Sequence, residues 1–196
     1  MKVNNISFGK KIPVMTFQVQ DMKRKTFVPV VMSEYDCRDT SDIDIVNSLR
    51  NKWIFAQSIA DGMHIKNSGL DKNLESPFNF YVVNNPKGEI IGLCQTVQTG
   101  KDIDIFYIET KKKAYKYVGQ SIIAALGKKL LDNNGGNIEI SAAASSAKPF
   151  YIEKCGFKQV YRDKNMYNLE MNKEQIKGFI SRVEEKTGAP ILDVEG

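Results

Sequence analysis

One stretch of the sequence places a strand, a basic turn, a glycine and a helix in an order that suits the binding of an anion. Residues 102–109 alternate charged and apolar side chains at first, as a strand does, and the lysine-rich segment 111–116 follows. Gly119 and Ser121 then open a helix, whose first N–H groups have no acceptor within the helix. These N–H groups and the helix dipole point at one place, which is how proteins bind phosphate and pyrophosphate. A glycine at a helix start also occurs in ordinary turns, so this stretch alone does not decide the function.

The same stretch resembles a motif of a known family. The sequence Lys-Tyr-Val-Gly-Gln-Ser at 116–121 is similar to the acetyl-CoA-binding motif R/Q-x-x-G-x-G/A of the GNAT acyltransferase superfamily. Lysine replaces the first Arg or Gln of that motif, and serine replaces its last small residue. Further along, Pro-Phe-Tyr-Ile-Glu-Lys-Cys-Gly-Phe at 149–157 looks like the family's second signature, F-Y-x-K-x-G-F. The resemblance covers about residues 78–169.

This resemblance implies an acetyl-CoA-dependent N-acetyltransferase that transfers an acetyl group directly to a primary amine. Coenzyme A is expected in a gap where the strand ending at Glu109 separates from the strand starting near Ile138. The backbone of Tyr107 and Ile108 would hold the pantetheine arm, and an N–H group at the end of their strand would polarise the thioester carbonyl. The implied cofactor-binding residues are Tyr107, Ile108, Lys116, Val118, Gly119, Gln120, Ser121 and Ser145.

By the same resemblance, Tyr151 is the general acid that protonates the departing thiolate. The family's tyrosine usually lies five residues before the final Phe of the signature, whereas Tyr151 lies six before Phe157. Either the helix contains an extra residue that bulges out, or Ile152 takes the place of the tyrosine. The alternative role for Tyr151 is that of a core aromatic side chain beside Phe150.

The general base is sought among the acidic residues of the strand 102–109. An ammonium ion has no lone pair, so a carboxylate or an ordered water must accept a proton before the amine attacks. Glu109 is the candidate, with Asp102 and Asp104 on the same strand. Strand alternation predicts that the two aspartates and Glu109 lie on opposite faces. The other interpretation is that these are exposed acids at a strand end, with water as the base.

Other reactive residues receive structural interpretations. Ser145 either contacts the cofactor arm or caps the next helix. Cys155 has no neighbouring histidine to activate it and is interpreted as a small buried side chain. The single histidine, His64, excludes two-histidine metal motifs, so no metal site is predicted. Family analogy places His64 and Trp53 on the acceptor side, although a loop residue and a core residue are the simpler interpretations.

The elements that position these residues follow from hydrophobic periodicity, capping signals and turn residues. Pro29 favours an edge position for the second strand. Asn-Asn-Pro-Lys-Gly at 84–88 predicts the turn between two strands, and Asn172 with Gln175 predicts a capping box at the start of the last helix. The predicted class is α/β (α+β), with a mixed, mostly antiparallel central sheet and flanking helices. Ser41 is expected to cap the first helix, which carries Val46, Leu49, Trp53 and Ala56 on its apolar face. The predicted elements are strands 12–20, 26–32, 78–83, 89–97, 102–109 and 138–143, helices from Ser41 onward and over 116–131, 147–154 and 172–188, a loop at 61–77, and one strand or a hairpin over 157–169.

Composition narrows the class of protein further. The chain has 196 residues and a net charge of +5, so we expect one domain with a core at 78–169, preceded by segment 1–76. Three cysteines without a C-x-x-C pair argue against a disulfide framework or a zinc cluster and indicate a reducing, cytoplasmic location. No secretory signal and no apolar run long enough for a membrane span is present.

Several questions about partners remain open at this stage. The acceptor is either a small-molecule amine or a protein amine, and the acidic residues look too dispersed to favour a polyamine. One alternative is a catalytically silent module that binds coenzyme A. A nucleic-acid binder using Lys23-Arg24-Lys25 and Lys111–113 is weaker, because aromatic residues do not alternate with these clusters. The segment before the core and the C-terminal helix are candidates for covering a sheet edge or building a homodimer.

Overall fold

The computed structural model describes residues 12–35, 40–49, 53–54, 58, 78–111, 113–144, 146–163 and 166–194. The strands within these ranges are β1 (Ile12–Asp21), β2 (Thr26–Glu34), β3 (Phe78–Asn84), β4 (Ile90–Thr99), β5 (Asp102–Thr110), β6 (Tyr115–Lys116), β7 (Ile138–Ala144), β8 (Lys158–Asp163), β9 (Met166–Met171) and β10 (Leu192–Asp193). The helices are α1 (Thr40–Asn47), α2 (Val118–Asp132), a π-helix (Phe150–Cys155) and α3 (Lys173–Thr187). None of the helices so described combines the length and apolarity that crossing a membrane requires.

The strands form one sheet in the order β10-β1-β2-β3-β4-β5-β7-β9-β8, with β6 paired to β1 beside it. Neighbouring strands are antiparallel except β5 and β7. The crossover between those two strands contains α2, as parallel pairing requires a long connection. The predicted fold class, a mixed and mostly antiparallel sheet with flanking helices, is confirmed.

Each face of the sheet carries its own apolar layer. Helices α2 and α3 cover one face, which we call the helix face, and their buried residues include Ile122, Leu126, Ile176 and Phe179. On the opposite face, which we call the α1 face, a smaller cluster joins Val46 of α1 to the sheet. The other buried members of this cluster are Tyr35, Trp53, Phe80, Val82 and Leu93.

The approach of α2 to α3 depends on Gly127. A Cβ atom at Gly127 would lie 2.7 Å from Cγ2 of Ile176 and 3.4 Å from Cδ1 of Ile138. We therefore expect Gly127→Val to lower the free energy of unfolding by about 1–3 kcal/mol through overpacking, measured by urea denaturation. The control is Gly178→Val in α3, where the nearest contact of an added Cβ is an ordinary 3.6 Å from Arg182. Equal urea midpoints for the two variants would contradict the prediction.

The first half of the chain differs from its predicted form in two respects. Helix α1 begins at Thr40 and ends at Asn47, so Ser41 lies within the helix and does not cap it, and Trp53 lies beyond its end. Strand β2 is internal in the sheet, although Pro29 had suggested an edge. Its pairing with β3 begins only at Val31, so Pro29 needs no N–H for that neighbour.

The second half differs from its predicted form at the start of α2 and agrees with it further along the chain. Helix α2 begins at Val118, two residues later than predicted, because Lys116 belongs to β6 and Tyr117 adopts a left-handed conformation. The segment 157–169 is a hairpin, β8–β9, which was one of the two predicted forms. The capping box of Asn172 and Gln175 at the start of α3 is confirmed.

Candidate active site

A gap opens in the sheet between β5 and β7. The two parallel strands pair only at Ile103 with Ile138 and at Asp104 with Glu139. Beyond these pairs β5 continues to Thr110 and β7 to Ala144 without further pairing between them. The edge of β5 that faces β7 therefore presents backbone N–H and C=O groups to the gap over the stretch that contains Tyr107 and Ile108.

The N-terminus of α2 lies next to the open end of this gap. Tyr117 precedes the helix with φ 73°, and the first helical hydrogen bond runs from the Ser121 N–H to the Tyr117 carbonyl at 2.9 Å. The N–H groups of Val118, Gly119 and Gln120 therefore have no acceptor inside the helix. No acidic residue lies in the first turn, and no side chain caps it. N–H groups without a helical acceptor suit an anion at this end of α2.

The side chains of this first turn face the protein. A Cβ atom at Gly119 would lie 3.1 Å from Cζ of Phe150 and 3.6 Å from Cγ2 of Thr110, so this turn packs closely between the π-helix and the end of β5. The Gln120 amide donates to the Lys154 carbonyl at 3.1 Å, which ties α2 to the π-helix. Ser121 is fully buried, and its Oγ has no hydrogen-bond partner in the described structure.

The π-helix resolves the spacing of the second signature. Its wider turn accommodates the extra residue between Tyr151 and Phe157, and Gly156 ends it with φ 90°. Tyr151 remains directed into the core, where its ring makes edge contacts with Phe150 and Phe157 at centroid distances of 5.1 and 5.8 Å. The structure thus has the bulged helix of the two alternatives, and Ile152 does not replace Tyr151.

Burial governs the ionisation of the groups around Tyr151. It raises the pKa of the Tyr151 hydroxyl well above the ordinary value, and the neighbouring Cys94 and Cys155 raise it further. Burial likewise raises the pKa of the Cys155 thiol to about 12. Tyr151 therefore keeps its proton. Cys155, fully buried and protonated, is confirmed as a small buried side chain.

A β-bulge in β5 changes which acids share a face. Gln95 of β4 pairs with Tyr107, whereas the next residue, Thr96, pairs with Ile105. Phe106 is therefore an extra residue in β5, and the alternation of side chains reverses there. The sequence signal for this bulge is the run of four apolar residues at 105–108, which interrupts the charged–apolar pattern.

The bulge overturns the expectation that the aspartates and Glu109 lie on opposite faces. Asp104 pairs with Val97, and Glu109 pairs with Leu93. Val97 and Leu93 are four residues apart on β4 and so lie on the same face, as do their partners. Asp102 lies on this face too, but its carboxylate accepts the Asn137 N–H at 2.6 Å and holds the start of β7.

Glu109 borders a cavity on the α1 face of the sheet. The cavity has a volume of about 440 Å³, and Leu49, Trp53, Glu89 and Lys111 also line it. Oε1 of Glu109 accepts the Ile54 N–H at 2.9 Å, which orients the carboxylate beside Trp53. Trp53 is 7% exposed, so it is both a core residue and part of the cavity wall.

Strand register gathers further acids on the α1 face. Asp104, Glu139 and Glu170 stand side by side on β5, β7 and β9. Burial raises the pKa of Glu139, and the negative charges of Asp102, Asp104 and Glu170 raise it further. The acidic residues that looked dispersed in the sequence are therefore clustered in the fold.

The structure brings together most of the residues predicted for the site. Tyr107, Ile108, Val118, Gly119 and Tyr151 belong to the three elements that meet at the gap, while Glu109 faces the cavity on the α1 face. Lys116 is exposed, and its ammonium lies 4.9 Å from the centre of the Tyr117 ring. Ser145, His64 and Cys37 lie outside the described residues.

Two features of the site were missed from the sequence. Thr110 contacts the first turn of α2, and no motif marks this residue. Asn85, in the turn between β3 and β4, donates to the hydroxyl of Tyr115 at 2.8 Å and fixes the segment that leads into α2. The Asn-Asn-Pro-Lys-Gly turn was recognised only as a hairpin connection, since a long-range hydrogen bond leaves no local pattern.

Comparisons with known proteins agree with this geometry. A family model described as an acetyltransferase (GNAT) domain matches residues 60–176. No curated protein matches the chain significantly in sequence.

Solved structures share the fold at low sequence identity. PaiA N-acetyltransferase of Thermoplasma acidophilum, in complex with coenzyme A, is 15% identical with a TM-score of 0.52 over 73% of this chain and 98% of that one. Spermidine N-acetyltransferase of Vibrio cholerae, in complex with CoA and spermine, is 12% identical with a TM-score of 0.52, over 76% and 98%. FdhC, a nucleotide-linked sugar GNAT, is 12% identical with a TM-score of 0.57, over 85% and 96%.

Proposed function

Because the chain belongs to the GNAT acetyltransferase family, we propose that it transfers the acetyl group of acetyl-CoA to a primary amine by direct attack. The observation that carries this proposal is the meeting of three elements at one place. These are the stretch of β5 beyond its pairing with β7, the N-terminus of α2 and the π-helix that holds Tyr151. Acetyl-CoA requires an extended groove for its pantetheine arm, an anion site for its pyrophosphate and a proton donor for its sulfur. In our proposal β5 supplies the groove, the start of α2 supplies the anion site and Tyr151 is the proton donor.

The residues at the gap fit coenzyme A. Three N–H groups at the start of α2 have no helical acceptor, and no carboxylate in the first turn repels a phosphate. Ser121 Oγ is an orphaned buried oxygen in the same turn. In our proposal Val118, Gly119 and Gln120 hold the pyrophosphate through their backbone, with Lys116 nearby. The backbone groups of Tyr107 and Ile108 hold the pantetheine arm. Ser145 stays a predicted contact of the cofactor.

The proton transfers are assigned to two side chains. When bound, acetyl-CoA supplies an acetyl group already activated as a thioester. Glu109 accepts the proton of the incoming ammonium group, directly or through an ordered water. As the new C–N bond forms and the C–S bond breaks, Tyr151 donates a proton to the sulfur. The nitrogen loses a second proton as the amide forms; this proton restores the Tyr151 hydroxyl, directly or through water, and the proton held by Glu109 passes to solvent.

The acceptor is proposed to be a small, positively charged amine. The cavity bordered by Glu109 and Trp53 lies on the same face of the sheet as Asp104, Glu139 and Glu170. Such a face attracts cations and repels anionic acceptors. The solved spermidine N-acetyltransferases with this fold are consistent with that class of acceptor.

Release of free thiol from acetyl-CoA tests the proposed activity. The full chain is assayed with a panel of monoamines, diamines and polyamines, and with a lysine-containing peptide. We expect thiol release that requires a primary amine and is faster for the cationic small molecules than for the peptide. Binding of acetyl-CoA without thiol release for any amine would favour the catalytically silent module instead.

Replacing Glu109 tests the assignment of the base. Glu109→Gln retains an oxygen that accepts the Ile54 N–H but cannot accept a proton from the amine. We expect kcat to fall about 100-fold, the lower end of the range for general base catalysis, with the affinity for CoA unchanged. The readouts are steady-state thiol release and calorimetric binding of CoA on the same preparation.

Glu89→Gln is the matched control for this variant. Glu89 lines the same cavity, and its carboxylate accepts the Asn85 side-chain amide at 2.9 Å. We expect its kcat to stay near that of the wild type. Full activity of Glu109→Gln would instead show that water accepts the proton of the amine and that the Glu109 carboxylate is not required.

A further inference from the structure

A cavity of about 460 Å³ lies where three connections meet: the β1–β2 turn, the β3–β4 turn and the segment leading into β6. Four cationic side chains line it, namely Lys23, Arg24, Lys87 and Lys113. In the sequence, Lys23 and Lys113 belong to two separate basic clusters. The fold brings both clusters to one concave surface, which therefore suits a compact anion.

Among the lining residues that the structure describes, Asp21 carries a carboxylate, and this group holds the β1–β2 turn together. Oδ1 of Asp21 accepts the backbone N–H groups of Lys23 and Arg24 at 2.9 and 3.1 Å, which shapes the turn that presents both cations. Its other oxygen lies 3.9 Å from Nε of Arg24. The carboxylate thus offsets part of the charge of one side chain, and the cavity remains positively charged.

The walls of the cavity are held together by hydrogen bonds between its three connections. The Met22 N–H donates to the Ala114 carbonyl at 3.0 Å, beside the pairing of β1 with β6. The Asn85 amide donates to the Tyr115 hydroxyl at 2.8 Å, which joins the β3–β4 turn to β6. The backbones that carry the cations are therefore fixed relative to one another before any ligand binds, which lowers the entropic cost of binding.

This cavity adjoins the N-terminus of α2. Tyr115 lines the cavity and precedes Val118 by three residues, so their Cα atoms are at most about 11 Å apart. The Phe27 ring of β2 stacks on Tyr117, with centroids 6.3 Å apart and planes inclined by 10°. The β1–β2 hairpin is thus packed against the turn that presents the anion-binding N–H groups.

We propose that this cavity binds the 3′-phosphate of coenzyme A; the proposal rests on the cofactor assigned above. In coenzyme A the 3′-phosphate and the 5′-pyrophosphate are carried by one ribose. A pyrophosphate at the start of α2 therefore places the 3′-phosphate within reach of neighbouring surfaces. A phosphomonoester forms charge-assisted hydrogen bonds with lysine and arginine. The β1–β2 hairpin lies outside residues 60–176, so this chain adds the contact to the part that matches the family model.

The test compares coenzyme A with dephospho-CoA, which lacks only the 3′-phosphate, by isothermal titration calorimetry on the full chain. We expect coenzyme A to bind about tenfold more tightly, a difference of about 1.4 kcal/mol. The double variant Lys87→Ala/Lys113→Ala should bring this ratio close to one, while its affinity for dephospho-CoA stays unchanged. Lys177→Ala, on the exposed surface of α3, is the control and should keep the ratio.

The outcomes separate this proposal from the proposed function. Equal affinity of the wild type for both ligands would overturn the 3′-phosphate site and leave the cofactor assignment intact. Failure of both ligands to bind would overturn both. If the double variant lowered the affinity for both ligands by the same factor, the site would also be overturned, because the two lysines would then not distinguish a ligand with the 3′-phosphate from one without it. Tight binding of a single-stranded RNA oligonucleotide through the same lysines, without discrimination between the two ligands, would assign the cavity to nucleic acid.

Discussion

The Tyr151→Phe variant is expected to lose about two to three orders of magnitude in kcat, with little change in its affinity for coenzyme A. The substitution removes only the hydroxyl, so the edge contacts with Phe150 and Phe157 persist. The departing thiolate would then have to take its proton from water. Steady-state thiol release and calorimetric CoA binding on the same preparation measure the two quantities separately.

The pH dependence of the wild type follows from the environment of Tyr151. A general acid acts only in its protonated form, and burial raises the pKa of Tyr151 above the usual value near 10. The protonated form therefore persists throughout the range of an ordinary assay. Any alkaline loss of kcat below pH 10 must come from another group, and it should remain in Tyr151→Phe.

Tyr167→Phe is the matched control for the tyrosine. Tyr151 and Tyr167 are both 8% exposed, so the two substitutions remove a hydroxyl from equally buried rings. Tyr167 lies against Lys148 and Arg162, with Lys148 Nζ 4.5 Å from its ring centre. We expect Tyr167→Phe to keep its kcat. An unchanged kcat in Tyr151→Phe would assign Tyr151 to the core and the proton to solvent.

The Gly119→Glu variant is expected to lose its stabilisation by acetyl-CoA altogether. A ligand at 100 times its Kd stabilises the native state by about 2.7 kcal/mol, which raises Tm by several degrees in a protein of this size. Glutamate at this position adds a negative charge to the first turn of α2, which weakens the attraction of its N–H groups for an anion. Its Cβ would also lie 3.1 Å from the Phe150 ring. Thermal unfolding with and without millimolar acetyl-CoA measures the shift.

Gly178→Glu provides the control for charge and for loss of glycine. Gly178 lies in α3, where an added Cβ has only the Arg182 guanidinium within 4 Å, at 3.6 Å. This variant should keep the full shift in Tm. If Gly119→Glu also kept it, the pyrophosphate would not bind at the start of α2. If the wild type showed no shift, the acetyl-CoA assignment itself would fail.

Local chemistry made much of the fold predictable from the sequence. Alternation and turn residues marked β1–β5 and β7, and the Asn172–Gln175 capping box marked the start of α3. The motif at 116–121 and the signature at 149–157 indicated the family, since each is a short pattern read along the chain. The six-residue spacing of Tyr151 and Phe157 even suggested the π-helix, because an extra residue in a helix has to be accommodated locally.

Tertiary structure decided the features that depend on residues far apart in the chain. The bulge at Phe106 is fixed by the pairing of β5 with β4, and it places Glu109 and Asp104 on one face against the alternation of the sequence. The register of β5, β7 and β9 likewise aligns three acids that the sequence separates.

The cationic cavity likewise depends on contacts between residues that are far apart in the chain. Lys23, Lys87 and Lys113 come from three connections whose contact is set by hydrogen bonds between strands and turns. By itself the sequence determined most of the elements, the family and the helix that carries Tyr151, because those depend on neighbours along the chain. Which side chains face a common ligand was decided only by strand register, because a shift of one residue moves a side chain to the other face.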